Sequence, residues 1–136
     1  MRKFFLIIGF ISFSINNIKA QTIDTAVRYP ILIKFESICC GVPSDKPIKL
    51  FINKFKKSNH IKKITANRIG PMGREGEYYL AFRLNQLNKK QKTIFIKGIK
   101  AAIIKLTDKG KAEYEENVVL NTDSFPSIAV QTIVIF

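Results

Sequence analysis

Two adjacent cysteines, Cys39 and Cys40, stand where an alternating stretch runs into a Gly41-Val42-Pro43 turn. As thiolates they could hold a soft metal such as copper(I) or zinc, or cycle between thiol and disulfide. Neighbouring side chains on an extended backbone point to opposite sides. Chelation of one ion therefore needs a distorted turn, which Gly41 could permit. By parity with Phe35 and Ser37, Cys39 is expected to face the core and Cys40 to face away. The plainer alternatives are one buried and one loop thiol, or a vicinal disulfide.

Anion binding is a second chemistry open to the same stretch. Ser44, Asp45 and Pro47 mark a helix start, where free N–H groups and the helix dipole favour negative charge. Lys46 and Arg74 could converge on that point. Pro43 has no N–H, so the turn lacks a run of free amides. Further on, Gly73-Arg74-Glu75-Gly76-Glu77 places two carboxylates two residues apart. They could act as a pair, or the turn could satisfy itself, with Arg74 neutralising its own neighbours. No nucleophile or base is spaced to complete a catalytic site. His60, the single histidine, falls at a helix end away from the cysteines. The candidate ligand-binding set is therefore Cys40, Gly41, Lys46, Gly73, Arg74 and Glu75. Cys39 and Cys40 are the metal ligands if a metal binds, no catalytic residue is assigned, and no cofactor is implied.

The elements that would position these residues follow from periodicity. Residues 31–38 alternate, with Ile31, Ile33 and Phe35 on one side and Lys34 and Glu36 on the other, as a half-buried strand does. Ile48, Phe51, Ile52 and Phe55 form one apolar helical face over 44–58. Residues 61–69 read as a second strand and 77–84 as a third, in which Tyr78, Leu80, Phe82 and Leu84 share a face. Asn85 or Asn88 starts a second helix running to about Leu106, with Phe95, Ile99, Ala102, Ile103 and Leu106 buried. Gly98 either weakens it by about 1 kcal/mol relative to Ala or lets it approach the sheet closely. Residues 112–120 read as a fourth strand. Residues 128–136 read as a last one, which should pair with the fourth as a hairpin or across a dimer rather than stay an open edge.

The order strand–helix–strand–strand–helix–strand resembles the ferredoxin-like βαββαβ pattern over residues 31–120. The expected fold class is thus α+β, a ferredoxin-like two-layer sandwich with an additional C-terminal strand. Such a topology gathers 41–46, 70–76 and 107–111 at one end of the sheet. The position of Cys39-Cys40 there resembles that of the CxxC pair in heavy-metal-associated domains, although these cysteines lack the two-residue gap. Acylphosphatases use a comparable loop, but their arginine-bearing motif is absent. Gly76, Tyr79, Leu80 and Phe82 resemble part of the RNP1 strand of RNA-recognition domains. Glu75 and Glu77 stand where that motif has a basic and an aromatic residue, so nucleic acid is not the expected partner.

Composition sets the remaining bounds. Residues 1–20 carry Arg2 and Lys3, then an apolar run over 4–15, then a polar end closing on Ala20. That is the layout of a cleaved secretory signal. The run is shorter than the roughly 20 residues that span a bilayer, and no later segment could cross as a helix. The expected organisation is a signal over 1–20, an extended arm over 21–30, and a single domain over 31–136 that includes the strand 128–136. The expected location is exported, periplasmic or secreted. The whole chain has 23 basic and 10 acidic residues. Loss of Arg2, Lys3 and Lys19 with the signal leaves 20 against 10, a net charge of +10. Such a balance favours anionic partners. The two helical stretches hold eleven lysines and one acid, Asp45, and their outer sides should form a cationic face. The reading is a small exported protein that binds an anionic ligand or a protein partner rather than an enzyme, with a homodimer through 128–136 open to it. A thiol-dependent metal or redox protein and a small enzyme acting on an anionic substrate are the alternatives.

Overall fold

The structure, a computed structural model, describes residues 26–106, 109–121, 123 and 125–136. The expected signal over 1–20 and the first part of the arm, 21–25, lie outside the described residues, as does part of the turn at 107–108. The elements are β1 (Ala26–Ser37), α1 (Lys46–Asn59), β2 (Thr65–Gly70), β3 (Tyr78–Arg83), α2 (Lys89–Ile103), β4 (Gly110–Asn121) and β5 (Val130–Ile135). They build a mixed α+β fold of two helices and one five-stranded sheet, in the order β4-β1-β3-β2-β5. Every neighbouring pair is antiparallel.

The alternation read from the sequence sets the helix side of the sheet. Ile31, Ile33 and Phe35 of β1 join Leu80 and Phe82 of β3 beneath Ile48, Ile52 and Phe55 of α1 and Phe95, Ile99 and Ala102 of α2. Phe95 sits at the centre, with ring centroids 5.1 Å from Phe55, 5.6 Å from Phe51 and 5.7 Å from Phe82. The helix ends are set locally. At α2 the Gln91 N–H donates to Asn88 Oδ1 at 2.9 Å and the Asn88 N–H donates to Gln91 Oε1 at 3.0 Å, a reciprocal cap. At α1 the Lys46 N–H donates to Ser44 Oγ at 3.3 Å, while the Asp45 carboxylate turns to Lys49 at 2.9 Å. His60 closes α1 in the left-handed region with φ 53°.

Three expectations need correction. First, β5 is not a hairpin partner of β4; it pairs with β2 on the opposite edge, Ile133 facing Asn67. Phe125, between β4 and β5 in the chain, packs against the open face.

Second, the sheet side of Lys34 and Glu36, expected as the unburied side of a half-buried strand, is partly apolar. Lys34 pairs with Glu115, and Lys111 with Glu36 and Glu113. Elsewhere on this side Tyr29, Leu32, Ile69, Ala81 and Leu120 form a second apolar cluster.

Third, Ala26–Pro30 belongs to β1 rather than to a free arm, with Ala26 opposite Asn121 and Tyr29 opposite Val118. Tyr29 faces the open side whereas Ile31 faces the helices. The switch falls at Pro30, which has no N–H for the ladder, and near Asn117, whose φ is 53°. That break in parity is why the sequence shows no period there.

Asn67 is the one buried polar side chain among the described residues. Its Nδ2 donates to the Tyr29 hydroxyl at 2.6 Å, and Gln131 Nε2 donates to the same oxygen at 3.3 Å. Tyr29 thus ties β1 to β2 and β5 across β3. Tyr29→Phe leaves the buried Asn67 amide without its acceptor, and the expected loss is about 1–3 kcal/mol in urea unfolding. A variant as stable as the parent would show that this hydroxyl is not holding the edge.

Candidate functional site

The end of the sheet singled out by the cysteines gathers three loops. Ser37 lies opposite Gly110 and Phe35 opposite Tyr78, so the loops after β1, before β3 and before β4 meet there. The residues on those loops do not converge. β1 stops at Ser37, and residues 38–41 form a bend in which Cys40 adopts φ 64° and Gly41 φ 108°. The Gly41 N–H donates to Ser37 Oγ at 3.3 Å. Parity has lapsed by Cys39, so both cysteines are exposed free thiols. The expected core-facing Cys39 is therefore corrected. No cluster of three or more metal-ligating side chains occurs among the described residues.

The turn over 73–77 satisfies itself, but not through Arg74. The Glu77 carboxylate folds back over Gly73, where a Cβ would collide with it, and its Oε2 accepts the Glu75 N–H at 3.0 Å. Glu77 is thereby removed from any carboxylate pair. Arg74 and Glu75 are exposed and, among the described residues, form no ion pair. No hydrogen bond or ion pair joins Cys40, Gly41 or Lys46 to Gly73, Arg74 or Glu75 among the described residues.

What the β1–α1 loop does face is Arg68 and Tyr78. Ser44, Asp45 and Lys49 line a cleft of about 470 Å³ with these two residues and Phe136. The Arg68 guanidinium lies 4.0 Å from the centre of the Tyr78 ring, which stacks on Phe35 at 4.4 Å. Sequence reasoning passed over Arg68, although a charged residue at an inward position of β2, two beyond Ala66, was the available signal. Asp45 offsets one of the two cations here, which weakens the cleft as an anion site.

Burial pushes the Tyr78 phenol well above its ordinary pKa of 10.0; Asp45 adds to the shift and Arg68 opposes it. Above that ordinary value the unfolded chain releases the proton first, so stability falls as pH rises. Tyr78→Phe should flatten this alkaline fall when unfolding free energy is measured against pH. An unchanged slope would contradict the assignment.

The helix layer has a different electrostatic character. Of its eleven lysines, Lys49 pairs with Asp45 and Lys100 with Glu116 at 2.7 Å. The other nine form no ion pair among the described residues. The acids that could neutralise them stand mainly on β4: Glu113 and Glu115 are committed to Lys111 and Lys34 of the open side. Lys46 belongs to this layer and lines a trough between α1 and α2. His60 lies in a shallow basic depression with Lys56, Lys57 and Lys62 at the far end of α1. Comparison with known protein families, with curated proteins and with solved structures gives no match.

Proposed function

We propose that this chain is a small exported binding protein whose basic helix layer receives an anionic partner. The observation that carries this reading is that nine lysines of one layer form no ion pair among the described residues, while Glu113 and Glu115 are committed to the open side. Clustered like charge without local partners raises the concentration of oppositely charged ligands at that surface. Export rests on the basic start, apolar run and Ala20 of residues 1–20. A ferredoxin-like ancestry of the fold, with β5 added at the β2 edge, is supported by the βαββαβ element order and the pairing of β1 with β3.

The test is titration of the chain lacking 1–20 with dextran sulfate at two salt concentrations. Screening shortens from about 10 Å at 0.1 M to about 3 Å at 1 M. Affinity should fall by at least about tenfold between those concentrations. Binding that persists at high salt would refute an electrostatic surface, and no binding at low salt would refute the function.

β5 supports a second copy as a further partner. Residues 128–136 contain no charged side chain, and Ile133 is 73 % and Ile135 66 % exposed. The other edge, β4, is blunted by Lys111, Glu113, Glu115 and Glu116. Uncharged apolar edges recruit strands, and an antiparallel β5–β5 pairing would set Ile133 against its own copy. The protein should sediment as a dimer and Ile133→Lys as a monomer. A parent protein that stays monomeric at all concentrations would exclude this pairing. The thiol reading keeps one supporting observation, the exposure of both cysteines. Cys39→Ser with Cys40→Ser that leaves partner binding unchanged would end it.

A further inference from the structure

The trough between α1 and α2 differs from the rest of the helix layer in its floor. Pro47, Leu50 and Phe51 of α1 face Gly98, Ala101 and Ala102 of α2 across it. These positions recur three and four residues apart, so on each helix they form one continuous stripe. Gly98 deepens the trough. Having no Cβ, it lets the Phe51 ring lie against the backbone of α2, in space that a side chain would occupy. The sequence allowed a close approach of Gly98 to the sheet; the approach is to α1 instead. Leu50 is 53 % exposed, an apolar side chain left open to solvent at this wall. Lys46, Lys54 and Lys105 stand around the rim, and among the described residues no acidic one lines it. None of the three is ion-paired among the described residues. The volume is about 460 Å³, within the roughly 300–1,000 Å³ of small-ligand sites.

We infer that this trough binds a single anionic amphiphile, its alkyl chain on the Leu50–Phe51–Ala101 floor and its acidic head among Lys46, Lys54 and Lys105. The inference rests on the reading of the helix layer as an anion-binding surface and adds the apolar half of the ligand. Charge complementarity selects the occupant. An inorganic anion would leave the apolar floor wet, and a neutral chain would leave the lysine rim without a counter-charge. A second copy docked helix layer to helix layer would set lysine against lysine.

Calorimetric titration with decyl phosphate below its critical micelle concentration tests this, beside inorganic phosphate, decyl maltoside and dextran sulfate. Decyl phosphate should bind at least about tenfold tighter than either small comparator, because only it meets both floor and rim. Ala101→Trp fills the trough from an exposed position. It should abolish decyl phosphate binding and leave dextran sulfate binding unchanged, and Leu50→Asp should lose decyl phosphate without filling the space. Decyl phosphate no tighter than inorganic phosphate, with dextran sulfate still bound, overturns the trough and leaves the helix-layer reading standing. Loss of both ligands in the parent protein overturns both. A change in the sedimentation of the ligand-free protein on Ala101→Trp would assign the trough to a second copy and overturn the amphiphile.

Discussion

Phe95→Ala should cost about 3–5 kcal/mol of folding stability, the largest single effect in the molecule. Phe95 is fully buried, and its ring meets Phe51 and Phe55 of α1 and Phe82 of β3. Its removal opens a cavity where both helices and the sheet meet, and no one of them can relax into it without leaving the others. Domains of this size hold about 5–15 kcal/mol in total, so the variant should be marginal at ordinary temperature. Phe95→Leu keeps most of the volume and should cost clearly less. Urea unfolding of the two variants measures the difference. Equal losses would mean that ring contacts, not filled volume, hold the helix layer down.

Lys54→Glu combined with Lys105→Glu should weaken polyanion binding by about 2–4 kcal/mol, about 30- to 1,000-fold. A basic residue near an anionic surface contributes about 1 kcal/mol, and each reversal also adds a repulsion. Both lysines stand on the trough rim and neither has a protein partner among the described residues, so no ion pair is broken by replacing them. Helix content should be unaffected, because Glu and Lys have similar helix propensity. A loss of helicity instead would mean that the lysine stems are packing groups.

The periodicity of residues 31–36, 48–55, 78–84 and 95–102 carried the helix-side core, because each element there keeps one parity along its length. Tyr29 and the second cluster were not legible. Their parity breaks at Pro30 and Asn117, and the Asn117 φ of 53° leaves no trace in hydropathy. β5 was legible as a strand but not in its place, since a sequence-adjacent strand carries no mark of which edge it joins. Phe125 was the available clue, the one aromatic residue in the connecting sequence. The cysteine end was located correctly but not its geometry. The alternation of β1 was carried two residues too far, past Ser37, so Cys39 was assigned to a core it does not reach. The lysine excess of the two helices was plain from composition. The trough was not, because it depends on Gly98 and Phe51 meeting across two elements forty-seven positions apart.

The location of the binding surface is tested most directly by two variants with the same change in net charge. Lys54→Glu with Lys105→Glu alters the helix layer, and Arg74→Glu with Lys109→Glu alters the loop end of the sheet. Dextran sulfate titration of both at low salt should show the first losing most of its affinity and the second losing much less. Equal losses would reduce the interaction to total charge, and a larger loss at Arg74 and Lys109 would move the site to the loop end, against the assignment made from the unpaired lysines.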